Sequence, residues 1–403
     1  SVYIMNEIHK EIEAVYKDKY GQLVSLLLLR FPVLPIESAE DIVQEAFADA
    51  AASWTPSTIP ENPAGWIYQA CKNKSINLVR RSGKEKDLSL AGTISAPAED
   101  ISEHHFKDAQ LLMLMACCHP HLAPKTQVVL ALKYVANLTV KNIALQLGVN
   151  LDAIEKMLYR ARQKIKEDSL VLSADHSHYK KERLSIVHKV IYLLFNEGYK
   201  QAGKKPDQGK NLCEEALILN KSLFDSPLCN SETKALQALM LFNIARFTTR
   251  FDTDGNVIEL EYQDRSLWNA SLINMAHRFL IESEDSVFSP YHLEASIACM
   301  HCSAGRFEDT DWPAICKYYE VLLKIYPSPF ARINYAVSLQ YTRQFEKAYG
   351  ILTELYENPY FSRSHILNSA LGKYFERMGK KEEADIYFAR AEKFRLEINN
   401  ESS

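Results

Sequence analysis

Within five residues the chain places Cys117, Cys118, His119 and His121, side chains able to bind a metal or to sense redox state. Their spacing argues against a single tetrahedral metal. Adjacent cysteines on a helix point about 100° apart, whereas zinc ligands usually come as Cys-x2-Cys or His-x3-His. The cysteine pair also continues the apolar run "LLMLMA", and Pro120 would end that helix,. The cluster reads as core rather than as a metal or redox centre. A second group, Asp252, Asp254, Asn256 and Glu259 in "DTDGNVIEL", hints at calcium. An EF-hand loop puts glycine sixth and glutamate twelfth, and here Gly255 is fourth. A turn at "DTDGN" followed by a short extended run is the better reading. Arg265, flanked by Asp264, and Glu197 in "FNEGY" are candidates for a buried polar cluster joining helices. No nucleophile–base pair and no phosphate-cradling loop occurs, so the chain does not read as an enzyme and no cofactor is expected.

The elements that must carry such groups are helical. With only 13 glycines in 403 residues and long segments rich in Ala, Leu, Glu and Lys, the composition predicts an all-α protein of several domains. No apolar run approaches the roughly 20 residues that cross a bilayer; "VSLLLL" (Val24 to Leu29) is far too short. No membrane role is expected. The absence of a signal-like segment and the eight scattered cysteines suggest a reduced, cytoplasmic protein,. A net charge of −4 speaks against coating nucleic acid along the whole chain, but local patches could still bind it,.

Periodicity divides the chain into a helical unit over 5–81, a linker over 82–104, a second unit over 105–170, a middle helical segment over 184–286 and a repeating segment over 289–398,. In the first unit Ser38 is placed to cap "AEDIVQEAFADAAASW", with Ile42, Val43, Ala46, Phe47 and Ala50 on one face,. The prolines of "TPSTIPENP" break the helix before "AGWIYQACKNKSINLVRR" resumes it,.

In the second unit, small and apolar residues fall where a helix-turn-helix needs them. Ala144 lies at the helix crossing, Gly148 in the turn and Ile154 as the anchor of the second helix, with Ile143, Leu147, Val149 and Leu158 also inward,. Lys156, Arg160, Arg162, Lys164 and Lys166 then form the outward face that a major-groove helix requires,. In the first unit, Lys72 to Lys86 is a basic run with Trp66 and Tyr68 just upstream and Trp54 at the proline loop. Basic residues beside exposed aromatics suit melting or single-stranded DNA. The acidic "ESAEDIVQE" cannot face DNA and suits a protein partner.

With these motifs in view, the chain resembles a bacterial sigma factor of the extracytoplasmic-function (ECF) type. "AEDIVQEAF" (Ala39 to Phe47) is similar to the segment that grips the clamp helices of core RNA polymerase, which implies polymerase contacts at Asp41, Gln44 and Glu45. "GWIYQACKNKSINLVRR" resembles the promoter-melting and −10-reading helix, implying DNA contacts at Trp54, Trp66, Lys72, Asn73, Asn77, Arg80 and Arg81. The helix-turn-helix resembles the −35 reader, which implies Lys156, Tyr159, Arg160, Arg162 and Lys164 at the DNA and a docking site on polymerase. Glu155 and Met157 depart from that pattern. "CCHPHLAPKTQVVLAL", "YLLFNEGY" and "DTDGNVIELEYQDRSLW" further resemble the group of such factors with a long helical C-terminal extension.

Within that extension Ala314, Ala348 and Ala384 come into register 34 and 36 residues apart. Ala336 and Gly372 precede the last two, and Leu352 and Phe388 follow them. This is the pattern of tetratricopeptide-like helix pairs. Such a stack leaves a groove for a protein or peptide, or for the chain's own domains. The expected function is an alternative sigma factor that directs core polymerase to specific promoters, with a fused regulatory extension. The alternative is a helical-repeat scaffold that regulates transcription through protein contacts only.

Overall fold

A computed structural model describes the chain apart from residues 1, 32–33, 56, 82–102, 119–121, 148, 168–180, 204–205, 225, 227, 286–287 and 402–403. Most of the expected linker, Gly148, and His119, Pro120 and His121 therefore lie outside the described residues. Among those described, the regular structure is helical, with one isolated antiparallel bridge between Phe251 and Val257. The expected all-α class holds. Residues 1–201 and 207–228 form one compact unit, and residues 202–206 and 229–403 form another. This boundary falls inside the segment expected as a single middle domain.

In the first unit α1 (Val2–Arg30) is the central helix. The run that is too short for a membrane, with Val24, Leu26, Leu27 and Leu28, is instead buried core, as is Leu23 before it. It packs on α2 (Ile36–Ser53), α3 (Pro63–Arg81), α4 (Glu103–Cys117) and α5 (Pro124–Tyr134). Helix α2 begins at Ile36 behind Pro35, whose φ of −59° and ψ of 149° suit a helix entry without a side-chain cap,. Ser38 therefore sits inside the first turn and does not cap the helix, as its spacing had suggested. The apolar face of α2 is buried as expected.

Helix α4 buries Leu111 to Met115 and Cys117, and Cys118 follows with its N–H donated to the carbonyl of Leu114. Both thiols are core, and burial pushes that of Cys117 up to about 12. Helices α6 (Val140–Leu147), α7 (Leu151–Glu167), α8 (Lys181–Gln201) and α9 (Pro206–Ser222) complete the unit. Buried amides tie it together. The Gln22 amide donates to Gln110 Oε1 at 3.4 Å. Gln110 Nε2 in turn reaches the Val135 carbonyl at 3.2 Å and Glu215 Oε1 at 2.8 Å. One side chain thus joins α1, the end of α5 and α9.

The second unit starts with α10 (Ser231–Ile244), buried on every side from Ala235 to Phe242 and capped by an Asn230–Thr233 box,. Helices α12 (Ala270–Glu282) and α13 (Pro290–Ser303) pack on it. Between α10 and α12, after the short α11 (Phe247–Arg250), comes the turn at "DTDGN". Asp252 accepts the N–H groups of Asp254 and Asn256 at 2.9 and 2.8 Å and the Asn256 amide at 3.0 Å. Those hydrogen bonds hold its carboxyl below the usual range. The run expected to be extended ends in a 3-10 turn at Leu260–Tyr262.

Three helix pairs follow: α13 with α14 (Trp312–Ile325), α15 (Pro329–Tyr341) with α16 (Phe345–Tyr356) and α18 (His365–Arg377) with α19 (Lys381–Glu401). A short α17 (Pro359–Ser362) precedes the last pair. Ala336, Ala348, Leu352 and Ala384 are buried, and Gly372 lies against the Phe388 ring, as the internal register predicts. Ala314 is only partly buried.

The turns of the last two pairs also correspond. The Gln344 N–H donates to the Leu339 carbonyl and the Lys380 N–H to that of Phe375, each at 2.9 Å. The left-handed position is Gly379 (φ 70°) in one turn and Arg343 (φ 61°) in the other. A side chain in that region costs about 1 kcal/mol or more relative to glycine. Arg343→Gly should therefore raise stability by about 0.5–1 kcal/mol and Gly379→Ala should lower it by about 1 kcal/mol. Chemical denaturation of both variants checks the pair, and a destabilising Arg343→Gly would contradict the turn assignment.

Candidate nucleic-acid interface

Helices α6 and α7 are capped by side chains. Thr139 Oγ1 accepts the Asn142 N–H at 3.1 Å, and Asn150 Oδ1 accepts that of Ala153 at 2.8 Å,. Between them the Val149 N–H returns to the Ala144 carbonyl at 3.1 Å. Ile143, Ala144, Ile154, Leu158 and Ala161 form the buried seam. Helical geometry then turns Lys156, Arg160 and Lys164, spaced by four, to the opposite exposed side, with Tyr159 (60% exposed) beside them,. Glu155 shares that surface.

Arg162 does not. It follows Leu158 by four, so it leaves α7 on the flank of the buried seam. Its Nε donates to the Tyr134 hydroxyl at 2.9 Å and its Nη2 to Glu40 Oε2 at 3.1 Å, with Glu37 at 3.7 Å. Lys133 reaches the other Glu40 oxygen at 3.3 Å. The expectation that Arg162 faces DNA is corrected: the guanidinium ties α7 to α5 and α2. Burial opposes its charge, but Tyr134, Glu40 and Glu37 outweigh that and hold its pKa above the ordinary value. Burial raises the pKa of Tyr134 as well. Glu40, 8% exposed, is the carboxylate at the centre of this joint, and its place is not legible in the acidic run of α2.

The same joint depends on a close backbone approach. A Cβ at Gly21 on α1 would lie 2.9 Å from the Tyr134 carbonyl at the end of α5. Only glycine lets the two helices meet there without displacement.

On α2, Asp41, Gln44 and Glu45 are exposed on one face. Gln44 Nε2 reaches the Tyr20 hydroxyl at 3.4 Å. Glu45 and Asp49 share Lys74 of α3, at 3.0 and 3.1 Å. Hydrogen bonds to Glu45 and then Asp49 hold that ammonium above its usual pKa.

Helix α3 is capped by Asn62, which accepts the Gly65 N–H at 2.9 Å. It buries Ile67, Tyr68, Cys71, Ser75 and Val79, and burial pushes the Cys71 thiol up to about 12. Its open side carries Asn73, Asn77, Arg80 and Arg81, exposed at helical spacing, with Lys72 partly exposed. Asn73 Oδ1 accepts the Gln69 amide at 3.3 Å.

The aromatic part of the expectation is corrected. Trp54 is 5% exposed and packs edge-on against Trp66, centroids 5.4 Å apart. Tyr68 is buried too. Neither ring is open to a base: Trp54 fills the gap between the end of α2 and α3, and Tyr68 is in the core. Trp66 remains partly exposed. The Trp54 indole N–H finds no acceptor among the described residues. Arg265, the other expected cluster, donates to the carbonyls of His301 (2.5 Å) and Ala304 (2.8 Å) at the end of α13. A further bond goes to the Thr310 hydroxyl at 3.4 Å, so its hydrogen-bond partners here are two backbone carbonyls and a hydroxyl.

Among the described residues no group of three side chains could hold a metal ion, and no helix is long and apolar enough to cross a membrane. Residues 112–165, from the core of α4 through α7, match the family model described as Sigma-70, region 4. Residues 183–284 match a family of unknown function, DUF6596, whose span crosses the boundary between the two compact units. The chain is 24% identical over 166 residues to the ECF RNA polymerase sigma factor SigW of Bacillus subtilis (strain 168), covering 39% of this chain and 86% of that protein. No solved structure matches. An uncharacterized protein of Rhizobium meliloti (strain 1021) is 31% identical over 364 residues, covering 88% of this chain and 86% of the relative. At that identity and extent, the chain belongs to the same family as the Rhizobium meliloti protein.

Proposed function

We propose that this protein is a sigma factor of the extracytoplasmic-function type that brings core RNA polymerase to specific promoters and helps open them. One observation carries the reading. The segment that matches Sigma-70 region 4 folds as a capped helix-turn-helix whose second helix exposes Lys156, Tyr159, Arg160 and Lys164 in one stripe. Such a stripe supplies cations for phosphates and an arginine for guanine edges. The similarity to SigW supports the same reading. A scaffold working only through protein contacts would have no use for that stripe.

In this account Asp41, Gln44 and Glu45 meet the polymerase clamp helices, with Glu45 first giving up Lys74. Lys72, Asn73, Asn77, Arg80, Arg81 and Trp66 meet the −10 strand, and Trp54 joins them only after leaving its pocket. The second unit is a regulatory extension whose helix pairs are of the tetratricopeptide type.

The tie at Arg162 adds a requirement. Elements at −10 and −35 are separated by about 25 base pairs, roughly 85 Å at 3.4 Å per step. Helix α3 packs on α2, which a 3.1 Å hydrogen bond ties to α7, so α3 and α7 held in this way cannot serve both elements at once. The packed first unit is therefore the free form, and assembly with polymerase separates α2 from α7.

The direct test adds the full-length protein to core polymerase and reads transcription from its own promoter. Transcripts that start at one site are expected, and their absence across the family's promoters would sink the reading. Arg160→Ala should weaken binding to the −35 duplex by about 1–3 kcal/mol, roughly 5- to 150-fold. Arg162→Ala should leave that affinity equal or higher and speed amide exchange in α2 and α7. Equal losses in the two variants would return Arg162 to the DNA face. Reversing Asp41 and Glu45 to Lys should abolish holoenzyme assembly while duplex binding survives. Normal assembly by that variant would remove α2 from the polymerase contact.

A further inference from the structure

The internal register of the second unit makes Phe307, Tyr341 and Arg377 equivalent positions of its three helix pairs, 34 and 36 residues apart. They also touch in space. Phe307 meets Tyr341 edge-on at 5.2 Å, and the Arg377 guanidinium lies 3.9 Å from the Tyr341 centroid. Trp312 stacks on the same Tyr341 ring at 4.0 Å. One face of the stack thus carries a continuous aromatic row ending in cations, with Lys373 one turn before Arg377 and Arg395 on the last helix.

A segment of the same unit lies along this row. Asn256 Oδ1 accepts from Arg395 at 3.2 Å, Glu259 pairs with Lys373, and Glu261 accepts from the Tyr341 hydroxyl at 3.4 Å. Arg265 ends the run 5.8 Å over the Phe307 ring. As the segment advances from residue 256 to 265, its partners retreat from the last helix pair to the first. It crosses the repeats in reverse order, as a bound peptide would. Burial, and then Arg377 beside it, push the Lys373 ammonium below its ordinary pKa, so a carboxylate placed there meets a cation poorly served by water,.

We propose that this face is a binding site for an extended acidic protein segment, with carboxylates on alternate residues, and that residues 256–265 occupy it in cis. Charge complementarity names the partner: Lys373 pairs with Glu259 and the Tyr341 hydroxyl donates to Glu261, with the Arg377 cation on that same ring and Arg395 at the Asn256 end of the row. The part of the occupant that carries the carboxylates, residues 256–262, is exchangeable because little apolar burial holds it, while Gln263 and Arg265 anchor the far end through hydrogen bonds to the Ile258, His301 and Ala304 carbonyls. Val257 and Tyr262 are 59% and 72% exposed, and up to Tyr262 the segment's regular structure is one 3-10 turn and one isolated bridge, with a second 3-10 turn starting at Arg265. Contacts of this exposed, polar kind are individually weak, so local release costs little. Tethering still gives the segment an effective concentration near the millimolar range. An external ligand must compete with it.

The probe is a labelled peptide with the sequence of residues 256–265, titrated by fluorescence anisotropy into the full-length protein. The variant Glu259→Lys, Glu261→Lys, whose own segment is repelled, should bind it at least tenfold more tightly than the unmodified chain. Adding Lys373→Glu should abolish that gain, and a peptide carrying Lys at the two Glu positions should not bind. Should charge reversal unfold the unit, as read by circular dichroism, Glu259→Gln with Glu261→Gln carries the same expectation. A folded, released variant that fails to bind the peptide overturns the proposal. Binding that is indifferent to Lys373→Glu does so equally. The test is independent of the chain's role in transcription.

Discussion

Glu40 is a carboxylate that folding has taken almost wholly out of water. An ion in that position is tolerated only when paired and hydrogen-bonded, because stranding it costs several kcal/mol. Here two cations meet it, Lys133 from α5 and Arg162 from α7, one at each oxygen. The first unit is arranged to make this meeting possible. Gly21 lets the end of α5 approach α1, and the Tyr134 hydroxyl accepts from the same guanidinium. One residue beyond Gly21 and Tyr134, Gln110 holds Gln22 of α1, the Val135 carbonyl at the end of α5, and Glu215 of α9. The acidic helix and the basic helix are thus two faces of one electrostatic joint.

That joint divides the charges of α7 by angle. Side chains spaced by four from Lys156 stay outside, and the one spaced by four from Leu158 goes in. The division explains why a helix with so many basic residues leaves a narrower stripe than its composition implies. It also makes the free form self-limiting under the proposed function, since the contact that satisfies Glu40 holds together surfaces that a promoter would draw apart. The second unit uses a related device on a different scale, with the carboxylates Glu259 and Glu261 laid across the row of its repeats.

Much of this was legible in the sequence. The helix-turn-helix was, because Ile143, Ala144, Ile154 and Leu158 repeat at helical spacing and local geometry decides their fate. The helix pairs of the second unit were, for the same reason: small residues recur where helices cross. The acidic face of α2 and the amide and basic face of α3 also followed from periodicity. Arg162 was misjudged because a run of basic residues was read by type, although its spacing from Leu158 already put it on the inner flank. Glu40 could not be picked out of "ESAEDIVQE", since its partner lies 122 residues away. Trp54 looked available because it begins a proline loop, yet the gap between α2 and α3 needs a large ring. Arg265 was expected in a buried polar cluster joining helices, and two of its partners are backbone carbonyls, which no side-chain pattern reveals.

The central claim is that the acidic helix and the DNA-reading helix are joined in the free protein and part when it works. Dyes placed by Ala48→Cys on α2 and Gln163→Cys on α7, both outside the buried seam, report that separation by energy transfer. The account predicts high transfer for the free full-length protein and its collapse when core polymerase and promoter DNA are added together, with Arg162→Ala already lowering it in the free state. Transfer that stays high in a complex competent for transcription would contradict it.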